Sequence, residues 1–238
     1  MKIFKKISTY IFVALFFMNP TKVFAGAGAA TSYVNTVYSL HLCETGSTES
    51  SCLNPLLIRL TPAGTSMDIG STTAGESAGG YGNLNVLTPG TTYTYGQVVL
   101  NRSFTISGTD GSCQTSSTAA AGTATSLAVG KSGSETDEKQ TIYARDGSGM
   151  SSYMNSTDWK DTTTTGDADA GTLQSGQNYM KVRWALASSY THREGKIPSM
   201  KIAFDMSAAI NFNGTCAGSP ATGNGINPKR PVITNIIY

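Results

Sequence analysis

Charge is scarce in this chain: Asp, Glu, Lys and Arg together make up 13% of its 238 residues. Long apolar runs are scarcer still. After a first run from Ile7 to Met18 none of comparable length follows, so no transmembrane helix is expected, because a spanning helix needs about 20 apolar residues. Histidine is limited to His41 and His192, far apart, and no Cys-x-x-Cys pair exists, which argues against zinc. No clustered basic face is visible either. The formal charge of +2 rests on Lys2, Lys5, Lys6 and Lys22 at the N-terminus, where no acid stands, and without them it becomes −2. Nucleic acid is therefore not an expected partner, since it calls for a basic patch.

That N-terminal stretch has the three parts of a secretory signal: lysines, an apolar run ended by Asn19-Pro20, and Val23-Phe24-Ala25 at a cleavage site. Residues 1–25 are expected to be removed, with Ala27 as a second cleavage position, leaving 26–238 as a secreted domain at a Gram-negative-type bacterial envelope. The abundance of Thr, Ser, Gly and Ala suits short strands and turns and suits helices poorly. Segments rich in β-branched and aromatic residues predict strands over Tyr33–Leu42, Leu56–Leu60, Tyr93–Ile106 (broken at Asn101-Arg102), Gln140–Ala144, Tyr179–Leu186, Lys201–Phe212 and Val232–Tyr238. Only Ala119–Val129 has helical promise. His41, between Leu40 and Leu42, reads as a polar residue facing outward.

Four cysteines in an exported chain read as two disulfides. Of the three possible pairings, Cys43 with Cys52 is preferred because the intervening residues are polar and turn-like, which leaves Cys113 with Cys216. The second bridge would cross a possible two-part division near 115–134, so a single domain is expected.

The pattern L-x-x-G-x-x-Y occurs twice, at Leu87-Thr88-Pro89-Gly90-Thr91-Thr92-Tyr93 and at Leu173-Gln174-Ser175-Gly176-Gln177-Asn178-Tyr179, each time before an apolar strand. Over about fifteen residues in each copy this resembles the turn into the penultimate core strand of the fibronectin type III family. The resemblance implies an immunoglobulin-like corner at which the hydroxyls of Tyr93 and Tyr179 satisfy backbone groups. The chain departs from that family in lacking an early core Trp and in the placing of its cysteines. The expected fold is all-β: an antiparallel two-sheet β-sandwich, immunoglobulin-like or jelly-roll-like, with long Gly/Ser/Thr loops.

Gly75-Glu76-Ser77-Ala78-Gly79-Gly80 fits G-x-S-x-G and looks like the nucleophile elbow of carboxylesterases, with Ser77 as nucleophile and His192 as base. That motif needs a strand before it and a helix after it. Gly80-Tyr81-Gly82-Asn83 cannot start a stable helix, so no enzyme is expected and no cofactor is implied. Gly130-Lys131-Ser132 lacks the first Gly of a phosphate loop, with Thr125 in its place. Asp146, Asp158, Asp161, Asp167 and Asp169 read as solvated turn residues, since calcium needs six to eight oxygens on a tight loop.

Three functional classes remain: a structural subunit or surface protein that binds itself, an adhesin or glycan-binding module using Tyr81, Tyr153 and Trp159, and an outer-membrane β-barrel. The barrel class rests on the alternating Val232, Thr234, Ile236 and Tyr238, which resemble the last strand of such barrels. The same strand, and the small, flexible Gly26-Ala27-Gly28-Ala29-Ala30 leading into the first strand, are the candidates for strand donation between subunits.

Overall fold

The computed structural model describes residues 26–49, 51–70, 82–123, 126–133, 138–144, 159–162, 179–213 and 225–238, side chains of 159–162 and 213 excepted. Its strands are β1 (Ala27–Glu44), β2 (Leu56–Asp68), β3 (Thr92–Asn101), β4 (Ser103–Thr109), β5 (Cys113–Gln114), β6 (Lys131–Ser132) and β7 (Gln140–Tyr143). They continue with β8 (Trp159–Thr162), β9 (Tyr179–Thr191), β10 (Met200–Asp205), β11 (Ile210–Asn213), β12 (Gly225–Pro228) and β13 (Val232–Ile237). Among the described residues there is no α-helix, only a 3-10 turn at Leu84–Val86. Over the described part of Ala119–Val129 the helical promise gives way to irregular backbone and to an isolated bridge from Ala128 to Ile226. Ala128 is fully buried there, where a helix would have exposed one face.

All pairing is antiparallel, and it divides the strands unevenly. Eleven form one curled sheet of order β6-β5-β4-β1-β3-β9-β8, with β2, β7, β11 and β12 branching from it, while β10 and β13 form a two-stranded sheet. The long β1 makes the curl. Ala29–Val34 pairs with β4, Val37–Glu44 with β3, Val34–Leu42 with β2 along the other edge, and Ala27–Gly28 with β11. Register shifts between Val37 and Ser39 let one strand change neighbours, and a bulge of this kind sharpens twist and bend.

The Gly-Ala run is thus ordered, contrary to the expected flexible leader. A Cβ on Gly28 would stand 2.7 Å from the Thr109 carbonyl oxygen and 2.8 Å from the Phe212 ring. The residues are small because strands approach there, and the Gly26 amide reaches the Asp110 carboxylate at 3.0 Å. β2 also outruns its expected end at Thr61-Pro62. It pairs only with β1, so Pro62 sits on an edge strand where its missing N–H breaks no ladder. Residues 61–64 bulge out between the Leu60 and Thr65 pairs, and Arg59 clips the bulge with hydrogen bonds to Thr61 Oγ1 (3.4 Å) and Thr65 Oγ1 (3.2 Å).

The core fills the space between the curled sheet and the two-stranded β10–β13 sheet. Tyr33, Leu40, Leu42, Phe104, Ile106, Val182 and Trp184 come from the curled sheet, and Ile202 and Ile237 from the two-stranded one. Tyr33 and Phe104 meet edge to face at 5.3 Å, and the Tyr33 hydroxyl donates to the Lys229 carbonyl at 3.2 Å. Burial pushes that phenol well above its ordinary range. Arg102 marks the predicted break between β3 and β4. It is fully buried, with Nε and Nη2 on the Ala144 carbonyl at 3.0 and 2.8 Å and its guanidinium 5.2 Å from the Tyr143 ring centre.

Cys43 and Cys52 are joined, as the spacing suggested. Cys113 is also disulfide-bonded, while Cys216 lies outside the described residues. A crosslink across nine residues constrains the unfolded chain by about 2–3 kcal/mol in the entropy account. Replacing Cys43 and Cys52 together by alanine is expected to lower unfolding free energy by about that amount. Urea titration followed by circular dichroism checks it.

Candidate functional site

The two-stranded β10–β13 sheet exposes several large apolar side chains among the described residues. The Val232–Ile237 strand alternates strictly, because successive side chains of a strand point to opposite faces. Ile233, Asn235 and Ile237 face the core, and Val232, Thr234 and Ile236 face out. Met200, Ile202 and Phe204 of β10 face in, and Lys201 and Asp205 face out. The register places Lys201 opposite Ile236, Ala203 opposite Thr234 and Asp205 opposite Val232. The ladder continues past both strand ends, with reciprocal bonds of 2.9 and 3.0 Å between Ser199 and Tyr238. The outward face therefore holds Val232, Ile236 and Tyr238, at 66, 40 and 68% exposure. At the turn after β10 the Asp205 carboxylate accepts the Ser207 N–H at 2.9 Å, and hydrogen bonds from Ser207 hold its pKa below the usual carboxylate value.

Under the two-stranded sheet runs an apolar cleft of ≈ 90 Å³, floored by Val98, Leu100, Val182 and Trp184 and roofed by Ile202, Phe204 and Ile233. At one end Arg230 donates to the Arg183 carbonyl at 2.8 Å and meets Glu49 at 3.4 Å. Trp184 lies flat over Gly96, where a Cβ would come within 2.6 Å of the indole. The absent side chain makes room for the ring.

The convex side of the same three strands carries a polar layer that sequence reasoning missed. His41, Gln97 and Arg183 stand on one cross-strand line, and Ser39 and Lys181 flank it. All five are buried. The Arg183 Nε donates to Gln97 Oε1 at 2.6 Å and its Nη1 to the Glu49 carbonyl at 3.4 Å. The expectation that His41 faces solvent is corrected: it does leave the apolar face, but this second face of the sheet is closed to water as well. Lys181 and Arg183, alternating with Val182 and Trp184, gave only the signal of a half-exposed strand.

Tyr93 is buried, and its hydroxyl accepts the Thr88 N–H at 3.2 Å. Pro89 and Gly90 (φ +81°) fill the central positions of the turn that the Thr91 N–H closes on the Thr88 carbonyl at 3.1 Å, as a type II turn requires. Tyr179 opens β9 with its ring edge-to-face on Tyr38 at 4.8 Å, while residues 173–178 of its motif lie outside the described residues. So do Ser77, Tyr81, Tyr153, Asp146, Asp158, Asp167 and Asp169. Trp159 and Asp161 are placed only as backbone of β8, against Val182 and Met180. His192 is buried, with Nδ1 3.4 Å from the Tyr190 hydroxyl. Among the described residues no three His, Cys, Asp or Glu side chains gather as metal ligands, and no helix is long and apolar enough to cross a membrane. The features that remain define an all-β, disulfide-bonded chain whose distinctive surface is the β10–β13 sheet. No family model matches the chain, and no curated protein or solved structure matches it.

Proposed function

We propose that this chain is an exported structural protein of a bacterial cell surface that associates with itself through the outward face of its two-stranded β10–β13 sheet. One observation carries the reading. Three large apolar side chains of the C-terminal segment, Val232, Ile236 and Tyr238, stand in solvent on the same face. Monomeric soluble proteins rarely leave such side chains contiguous, and patches of this kind mark interaction sites.

The Cys43–Cys52 disulfide supports an oxidising compartment. A core held between the two-stranded sheet and the curled sheet supports sandwich-like layering in the wider sense. Association through a face also fits the pairing better than strand donation does. Ala27–Gly28 is bonded to β11 and Val232–Ile237 to β10, so donating either terminus would first strip it from its own chain.

Sedimentation velocity on the purified secreted form, with electron microscopy of the same samples, tests the proposal. Oligomers that grow with concentration are expected. A monomer that persists to the highest soluble concentration overturns it.

A further inference from the structure

We infer that the outward face of the β10–β13 sheet meets a second copy of itself, face to face, across a two-fold axis perpendicular to the strands at the Ala203–Thr234 rung. This rests on the self-association proposed above and adds the partner and the register.

The charges on the face select that register. Lys201 and Asp205 are its charged side chains within the paired strands, both exposed, and they stand two residues to either side of Ala203. Neither has an ion-pair partner among the described residues. A two-fold axis perpendicular to the strands exchanges the two ends of β10. It brings Lys201 of each copy over Asp205 of the other, and Val232 of each over Ile236 of the other. An axis along the strands would instead lay Lys201 over Ile236 and Asp205 over Val232, burying each charge against an apolar group, which is unfavourable. A two-fold contact must be complementary to itself, and this face is so in the first arrangement. Facing sheets lie about 10 Å apart, a gap that one lysine and one aspartate side chain can bridge between them. The Ser207 N–H holds the Asp205 carboxylate in place for this.

The paired part of the face measures only about 20 by 10 Å. That is well below the roughly 800 Å² per partner of a standard stable interface. The contact is therefore weak between isolated copies and gains strength where copies are crowded or tethered.

The test uses sedimentation equilibrium on the full secreted chain and two single variants, K201D and D205K, with circular dichroism to check folding. Each variant faces its own copy with like charges, so each alone is expected to associate about tenfold more weakly than the wild type. Mixed in equal amounts, they place opposite charges at both ends of the axis, and association is expected to return. K201D leaves the Asp205–Ser207 turn untouched, so it reports on the register even if D205K disturbs that turn. Unchanged association of K201D, or no recovery on mixing two folded variants, overturns this register while leaving self-association standing. A wild-type chain that does not associate at all removes the broader reading with it.

Discussion

Replacing Trp184 with alanine is expected to destabilise the fold by about 3–5 kcal/mol, the range for removing a buried Trp or Phe. That is a large share of the roughly 5–15 kcal/mol that holds a domain together. The indole is 6% exposed, lies on Gly96 of the neighbouring strand and floors the cleft beneath the two-stranded sheet. Its loss would join the space it occupies to the existing cleft, and neither Gly96 nor the rigid strands around it can move in to fill the void. Urea unfolding followed by circular dichroism measures the loss. Hydrogen exchange adds a local readout: the β13 amides, which rest on this floor through Ile233, are expected to lose protection before those of β1 and β3. A change below about 1 kcal/mol would show that the ring is not the keystone its burial suggests.

Gly108→Val is the second large effect, and it acts by overpacking. Gly108 faces Ala30 across the β1–β4 ladder. A Cβ there would overlap the Ala29 carbonyl oxygen and Ile210 Cδ1. Side chains can turn aside, but a backbone carbonyl in a ladder cannot, so β1 and β4 must part. The Gly108 N–H is also committed, to Thr115 Oγ1 at 3.0 Å. The expected loss is about 3 kcal/mol or more, the upper end for inserted methyl groups. Gly26→Ala is the control. Nothing lies within 4 Å of a Cβ at Gly26, so its unfolding curve should overlie that of the wild type. If both variants behave alike, the close approach of β1 to β4 is not what demands glycine at 108.

The strands that were legible in the sequence are those whose side chains pack in the ordinary way. Val37, Leu40 and Leu42, Val98 and Leu100, and Val182 and Trp184 alternate toward one core, and β-branched and aromatic residues announce them. The break at Arg102 was legible because Asn101 and Arg102 interrupt that alternation, and the Cys43–Cys52 bridge because a polar turn brings its ends together. What stayed hidden depends on neighbours far along the chain. Ala27–Ala30 reads as a flexible leader until Thr109 and Phe212 are set beside it, when smallness becomes a packing requirement. Pro62 reads as a strand end unless β2 is known to lie at an edge. His41 reads as solvated because polar residues on a strand usually are, and local sequence carries no sign that the second face, which also buries Lys181 and Arg183, is covered. Of the candidate surface, the alternation of Val232 to Tyr238 was visible at once. Its pairing with Lys201–Asp205 was not, since that register is a property of the folded sheet.

The pairing of Ala27–Gly28 with Ile210–Asn211 bears on how quickly the protein can form. β1 cannot complete its hydrogen bonds until Ile210–Asn211, far along the chain, has been made. Its contacts with β2, β3 and β4 also span long separations. Folding rates fall as contacts become less local, and all-β chains of this sort take milliseconds to seconds. For the export proposed above, a chain that cannot close early stays threadable, the state that passage through a membrane pore demands. The same delay leaves the apolar side chains of Val232, Ile233, Ile236 and Ile237 exposed in the unfinished molecule. That segment is where premature aggregation would begin.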